Sequence, residues 1–352
     1  MRIAIVTDAW KPQVNGVVTV LTELIEGLAA AGHAADVIEP SEFRRIRCPI
    51  YVDVELAWRP SAGVARRLDS FGPDALHIAT EGPLGCAARA HALRNRWSFT
   101  TAFHSRFPEF IAAATGLPAG IGYAWLRRFH APSSGVMVPS SGTLAMLERR
   151  GFRSLRAWSH GIDVERFTPH GDRLEIDAPR PRFLFVGRVA PEKNIEAFLD
   201  LDLPGSKIVA GGGPALERLR RRHPEVRFLG PRPRESLPAL YRAADVFVHP
   251  SRTDTFGLVM LEALACGTPV AAFRVPGPLD VVGESAGGVL DDDLRRAALT
   301  ALALDRAAAR ARALAFDRDR VRDQFLSWLA PIVPRANAGA PRAWRAASRA
   351  GL

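Results

Sequence analysis

The chain has 352 residues, 47% of them hydrophobic and 24% charged, with a net charge of +10. That length exceeds one ordinary core and suits two domains, the composition is that of a globular protein, and no apolar run approaches the roughly 20 residues of a bilayer span. Three scattered cysteines without CxxC spacing (Cys48, Cys86, Cys266) give no disulfide framework and read as buried free thiols.

The first residues, MRIAIVTDAW, do not read as a signal peptide, so a cytoplasmic protein is expected. Ile3–Thr7 reads as a buried strand, Asp8–Gly16 as a polar loop and Val17–Ala31 as a helix that stops at Gly32. Strands follow at Ala34–Ile38, Ala75–Ile78, Phe99–Phe103 and Val136–Pro139, with helices at Gly85–Arg96 and Ser141–Arg150. Ser159–Asp177 reads as a linker. A second series then begins, with strands at Phe183–Val186, Ile208–Ala210, Val226–Leu229, Val246–His249 and Val270–Phe273. Its helices are a stretch up to Leu201, Ala215–Arg222 and Leu258–Ala265, and Asp317–Leu329 reads as the last helix. Strands alternating with helices imply parallel sheets covered on both faces, and two such series imply two doubly wound α/β domains. The expected division is 1–162, 163–330 and a basic, disordered tail over 331–352.

The charge points to an anionic partner. Only three of the 47 cationic residues are lysines (Lys11, Lys193, Lys207), so the arginine excess also reads as genome composition. No basic platform interleaved with aromatics is present, and nucleic acid is not expected as a partner. Arg44-Arg45-Arg47 and Arg127-Arg128 read either as solvated faces or as contacts to anionic lipid on the inner face of a membrane.

Ligands of doubly wound folds bind beyond the carboxyl ends of the strands, so the loops there carry the candidates. Arg252–Phe273, RTDTFGLVMLEALACGTPVAAF, follows a strand and places Asp254 and Glu262 with seven residues between them. Thr255, Phe256 and Gly257 lie between Asp254 and an apolar helix, so their backbone N–H groups face the open loop, a natural phosphate site. Glu262 lies about a turn and a half further on and leans back toward that end, suited to a ribose diol. The alternative is that Asp254 only caps the helix and Glu262 is a solvated face residue. In Phe185–Asn194, Arg188 and Lys193 flank a turn and could hold a diphosphate. Gly212 sits in a GGGP turn that allows close backbone approach. In the first half, Gly16 precedes the first helix and would leave room for a diphosphate or sugar at its N-terminus, and His104 follows a strand, where an imidazole could bond a sugar hydroxyl or assist proton transfer. Asp291-Asp292-Asp293 reads as helix capping, and no metal site is expected.

Together these pieces resemble the retaining glycosyltransferases of family 4, which have the two-domain GT-B fold. The resemblance rests on VNGVV after the first strand, HSRFPEF, SHGIDVERFTP, GR with Lys193, GGGP and the acid-x7-acid block, and it runs to about Leu329. VTDAWKPQVNGVV, HSRFPEF and TDTFGLVMLEALA are similar to bacterial α-mannosyltransferases that use GDP-mannose and to sulfolipid synthases that use a UDP-sugar. The resemblance implies two Rossmann-like domains with a cleft between them, no metal or other cofactor, a nucleotide-sugar donor and a lipid or glycan acceptor. It implies that Glu262 holds the ribose, that Arg188 and Lys193 bind the diphosphate, and that Asp254 with the Phe256–Leu258 backbone meets the transferred sugar and phosphates. It also implies that His104 touches the sugar and that Gly16 packs beneath the phosphate. Asp254 departs from the family's usual glutamate, and GGGP lacks an acid common there. A sugar-nucleotide epimerase and a non-catalytic nucleotide-sugar-binding module stay open as alternatives.

Overall fold

From Ile3 onward the first strand, β1 (Arg2–Val6), is buried on both faces, the environment that a continuous aliphatic run needs and a helix-covered parallel sheet provides. The computed structural model describes residues 1–13, 15–48 and 55–333. Next in chain order come β2 (Ala34–Ile38) and the antiparallel pair β3 (Arg45–Arg47) and β4 (Glu55–Ala57). They are followed by β5 (Ala75–Ile78), β6 (Thr100–Ala102), β7 (Gly135–Val138) and β8 (Leu155–Ala157). Apart from β3 and β4 these form one parallel sheet in the order β2-β1-β5-β6-β7-β8. The helix Gly16–Ala30 starts because the Asn15 side chain accepts a hydrogen bond from the Val18 N–H at 3.0 Å. It buries Val18, Val20, Leu21, Leu24 and Leu28, and truncating one such leucine to alanine costs about 2–5 kcal/mol.

The second series is β9 (Arg182–Val186), β10 (Ser206–Ala210), β11 (Arg227–Gly230), β12 (Val246–His249), β13 (Val270–Ala272) and β14 (Gly288–Leu290). It forms a second parallel sheet in the order β11-β10-β9-β12-β13-β14. In β9, Phe183 and Phe185 join one core cluster and Leu184 and Val186 another, so alternate residues feed the two faces of the sheet. Both halves are therefore doubly wound, Rossmann-like α/β units, as the alternation implies.

The chain divides into two compact units, one of Met1–Pro139, Leu144–Trp158 and the chain from Asp319 onward, the other of Ser140–Thr143 and Ser159–Arg318. The sequence boundary at 330 assigned the last helix to the second unit. Instead, beyond its first residue, the helix Arg318–Trp328 belongs to the first. The physical reason is aromatic: Phe325 is fully buried with its ring 5.0 Å from that of His77 and 5.4 Å from that of Trp158. The Trp158 indole N–H also donates to the Val321 carbonyl at 3.1 Å. The stretch expected to be a linker is packed rather than loose, with Ile162, Phe167 and Ile176 in the core of the second unit. Of the cysteines expected to be buried, only Cys266 is, and Cys86 lies on the outward side of the helix Pro83–Asn95. Asp293 caps the helix Leu294–Ala301, as read from its sequence. Most of the expected tail, from 334 on, lies outside the described residues. Among the described residues no helix is long and apolar enough to cross a membrane.

Candidate functional site

In a doubly wound sheet the strand order reverses once, and the two loops leaving the strands at that reversal diverge to open a crevice. In the second unit the reversal falls between β9 and β12. The loop after β9 carries Arg188 and Lys193, and the loop after β12 carries Asp254, Phe256 and Gly257. Topology thus brings together residues that are about 60 positions apart in sequence: Lys193 Nζ lies 2.6 Å from Asp254 Oδ1. Two further bonds tie the loops, from Asn194 Nδ2 to the Pro250 carbonyl at 3.0 Å and from Thr253 Oγ1 to the Glu192 carbonyl at 3.1 Å. Arg188 lies beside Glu192, with Nε and Oε1 3.9 Å apart.

Asp254 does not cap the helix Leu258–Ala265. The residue at the cap position is Gly257, and no side chain caps the helix start. Gly257 sits at φ +94°, left-handed backbone that strains any residue with a Cβ, and this turns the chain from the loop into the helix. The second oxygen of Asp254 lies 3.3 Å from His249 Nε2. Burial alone would raise the Asp254 carboxyl, but the Lys193 ammonium and His249 outweigh it and hold the group well below the usual carboxylate range. The site therefore keeps a fixed negative charge beside a fixed positive one.

Glu262 is not a solvated face residue. It is buried, its Oε2 accepts from the Tyr241 hydroxyl at 2.9 Å, and its Oε1 lies 3.3 Å from the Arg234 guanidinium. Burial and then the Glu262 charge push the Tyr241 phenol well above its ordinary range, so it stays a donor. The GGGP turn makes its close approach to the Arg188 loop. A Cβ on Gly211 would fall 1.8 Å from the Gly187 carbonyl oxygen, and the Gly212 carbonyl accepts from the Val189 N–H at 2.8 Å. Sequence reasoning missed His249, Tyr241 and Arg234. Tyr241 is one of only three tyrosines, a faint signal, whereas Arg234 has none in so arginine-rich a chain.

The first unit holds Gly16, the first residue of its helix, and His104, half-buried after β6. The His104 ring lies 6.2 Å from that of Trp158, and burial pushes its imidazole down to about 4, so it is neutral at pH 7. A base that weak is suited to hydrogen-bonding a hydroxyl rather than to carrying a proton. The reversal in this sheet lies between β1 and β5, and there Asp8 is buried. Its carboxyl accepts from the Leu84 N–H at 2.8 Å, the Gly85 N–H at 3.3 Å and the Thr80 hydroxyl at 2.9 Å. Burial outweighs these bonds and raises Asp8 to about 6.

Comparison with known proteins supplies the context. The family described as "Glycosyltransferase Family 4" matches residues 14–166, and "Glycosyl transferases group 1" matches residues 169–305. A GDP-mannose-dependent alpha-mannosyltransferase of Mycobacterium tuberculosis (strain CDC 1551 / Oshkosh) is 32% identical, over 82% of this chain and 83% of its own. The sulfoquinovosyl transferase SQD2 of Arabidopsis thaliana is 30% identical, over 75% of this chain and 54% of its own. In fold, the chain is similar to Anabaena HepE, solved in complex with UDP and glucose, with a TM-score of 0.70 at 17% identity, over 92% of this chain and 98% of that one.

Proposed function

Because the chain belongs to glycosyltransferase family 4 and has the GT-B pair of Rossmann-like units, we propose that it is a retaining, metal-independent hexosyltransferase that moves mannose from GDP-mannose to a hydroxyl of a lipid or glycan. The observation that carries this reading is the charge cluster at the β9/β12 reversal: Arg188, Lys193 and Asp254 beside a helix start without a side-chain cap. In transfer, the bond between the anomeric carbon and the diphosphate oxygen breaks and the diphosphate leaves with the electron pair. The acceptor oxygen bonds the same face of the sugar, and the departing phosphate oxygen takes its proton. Arg188, Lys193 and the N–H groups from Phe256 to Leu258 would stabilise the charge on that diphosphate by preorganised electrostatics. Lys193, already paired with Asp254, would stay oriented for it. Glu262, held by Tyr241 and Arg234, would accept the ribose hydroxyls. The contacts assigned to Gly16 and His104 rest on the motif resemblance. A UDP-hexose is the second reading of the donor, favoured by the similarity to the sulfoquinovosyl transferase.

Calorimetric titration of the purified chain with GDP-mannose, UDP-glucose, GDP and UDP, with and without EDTA, tests this. Selective GDP-mannose binding that EDTA leaves unchanged is the expected result. Preference for the UDP-sugar would overturn the donor. No binding to any of the four, or conversion of the donor to an epimer without acceptor, would overturn the transferase reading of the site.

A further inference from the structure

A buried polar group without a hydrogen bond costs stability, so a fold keeps one where something offsets the loss. His249 is such a group. It is the last residue of β12, a strand that is otherwise Val246, Phe247 and Val248, and it is 2% exposed. Its ring stacks on that of Phe247, with the centroids 6.3 Å apart. Among the described residues neither ring nitrogen has a hydrogen-bond partner. An apolar side chain at the end of so apolar a strand would carry no such cost.

What the imidazole faces is the loop after its own strand. Nε2 lies 3.3 Å from Asp254 Oδ2, within ion-pair distance yet not directed as a hydrogen bond. At the far end of the same loop, a Cβ on Gly257 would fall 3.5 Å from that nitrogen. The ring therefore lies against the stretch Asp254–Gly257. The other carboxylate oxygen, Oδ1, is 2.6 Å from Lys193 Nζ, and the ammonium is the larger counter-charge.

Lys193 has two claims on it. A diphosphate carries more negative charge than one carboxylate, so a bound diphosphate draws the ammonium toward itself. Asp254, with its side chain 14% exposed, then loses its main partner at the moment of binding. A sheltered carboxylate left alone is strongly unfavourable. His249 is in place to take over, because a small turn of the carboxylate toward Nε2–H converts the contact into a charge-assisted hydrogen bond.

We propose that His249 is a positioning residue of the donor site: its Nε2–H takes hold of Asp254 when Lys193 turns to the diphosphate, and it keeps the acid aimed at the transferred sugar. This rests on the reading of the β9/β12 loops as a sugar-nucleotide site.

Two measurements on the full chain test it, the first without any ligand. In a double-mutant cycle followed by thermal unfolding at pH 7, His249→Leu should shift the midpoint by less than about 2 °C while Lys193 is present. In the Lys193→Met background, where Lys193 no longer shares the acid, the same substitution should lower the midpoint by about 4 °C or more. His249→Gln, whose amide N–H reaches about as far as Nε2, should lower it in neither. Equal shifts of His249→Leu in the two backgrounds would overturn the proposal, since a histidine that only fills space contributes the same to both. The second measurement is calorimetric titration with GDP-mannose and with UDP-glucose. His249→Leu should weaken the sugar nucleotide that binds about tenfold, and His249→Gln should recover most of the loss. Wild-type affinity in folded His249→Leu would overturn the proposal. A wild-type chain that binds neither sugar nucleotide, with the unequal shifts intact, would instead sink the sugar-nucleotide reading and leave the coupling of His249 to Lys193 standing.

Discussion

Replacing Lys193 with methionine keeps most of the side chain's apolar reach and removes its charge, which isolates the ion pair with Asp254. The pair is partly sheltered, with side-chain exposures of 29% and 14% and a separation of 2.6 Å. Removing one partner of a fully buried pair costs about 3–5 kcal/mol, and an exposed pair contributes about 0–1 kcal/mol. This intermediate case should cost about 2 kcal/mol, or roughly 4–8 °C in the unfolding midpoint of a unit this size. The pH dependence is the sharper signature. Asp254 is held below its ordinary value, so the stabilisation is complete above about pH 4, where the carboxyl of the unfolded chain is ionised. It disappears as pH falls through the depressed native value. The gap between wild type and Lys193→Met should therefore be full at pH 7 and close below about pH 4. Thermal denaturation followed by circular dichroism from acid to neutral pH measures it. Equal midpoints at pH 7, or a gap that does not change with pH, would refute the assignment of this pair as a structural and electrostatic unit.

Further outcomes follow from the same geometry. Glu262→Ala should weaken GDP-mannose binding about tenfold or more, because a charged hydrogen bond contributes about 1.5–3 kcal/mol, and undiminished calorimetric affinity would sink the ribose role. Arg188→Ala, at a partly exposed site, should fold normally yet slow transfer about tenfold to a hundredfold, and a rate near wild type would remove Arg188 from the leaving-group cluster. Asp8, raised to about 6 in the fold, contributes stability that is full below about pH 4 and is lost as pH rises through its native value. Asp8→Asn should therefore gain on wild type by up to about 3 kcal/mol between pH 4 and 7, and parallel stability curves would count against the burial argument.

The alternation of strand and helix was legible because strands buried on both faces are continuous apolar runs, as in Ile3–Val6 and Phe183–Val186. The edge strand β8 was not, since Leu155–Ala157 is short and mostly exposed. Nor were the helices Arg306–Leu314 and Ala119–His130, whose alanine and arginine or doubly apolar faces carry no clean period. At the site, Asp254 and Lys193 stood out singly, each as an unusual residue after a strand. Their contact depends on β9 and β12 being neighbours, which is a property of the sheet order and not of either segment. His249 reaches Asp254 within one strand and the loop after it, whereas Tyr241 and Arg234 reach Glu262 through the packing of the helix Leu237–Ala243 and the turn before it. Glu262 could be read as a solvated residue because nothing local announces that a phenol and a guanidinium will cover it.

The return of Arg318–Trp328 to the first unit has a consequence for how the protein comes off the ribosome. Apart from Ser140–Thr143, the second unit is one unbroken stretch and can complete itself as soon as residue 318 has emerged. The first unit is made earlier yet must wait, because Phe325 fills the space between His77 and Trp158 only after the second unit has been translated. Until then His77 and Trp158 lack their aromatic cover, the kind of apolar exposure that invites aggregation and chaperones. The half synthesised first is thus the half finished last, and a fragment ending at 162 should be poorly soluble, while one that regains residues 319–333 in trans should not.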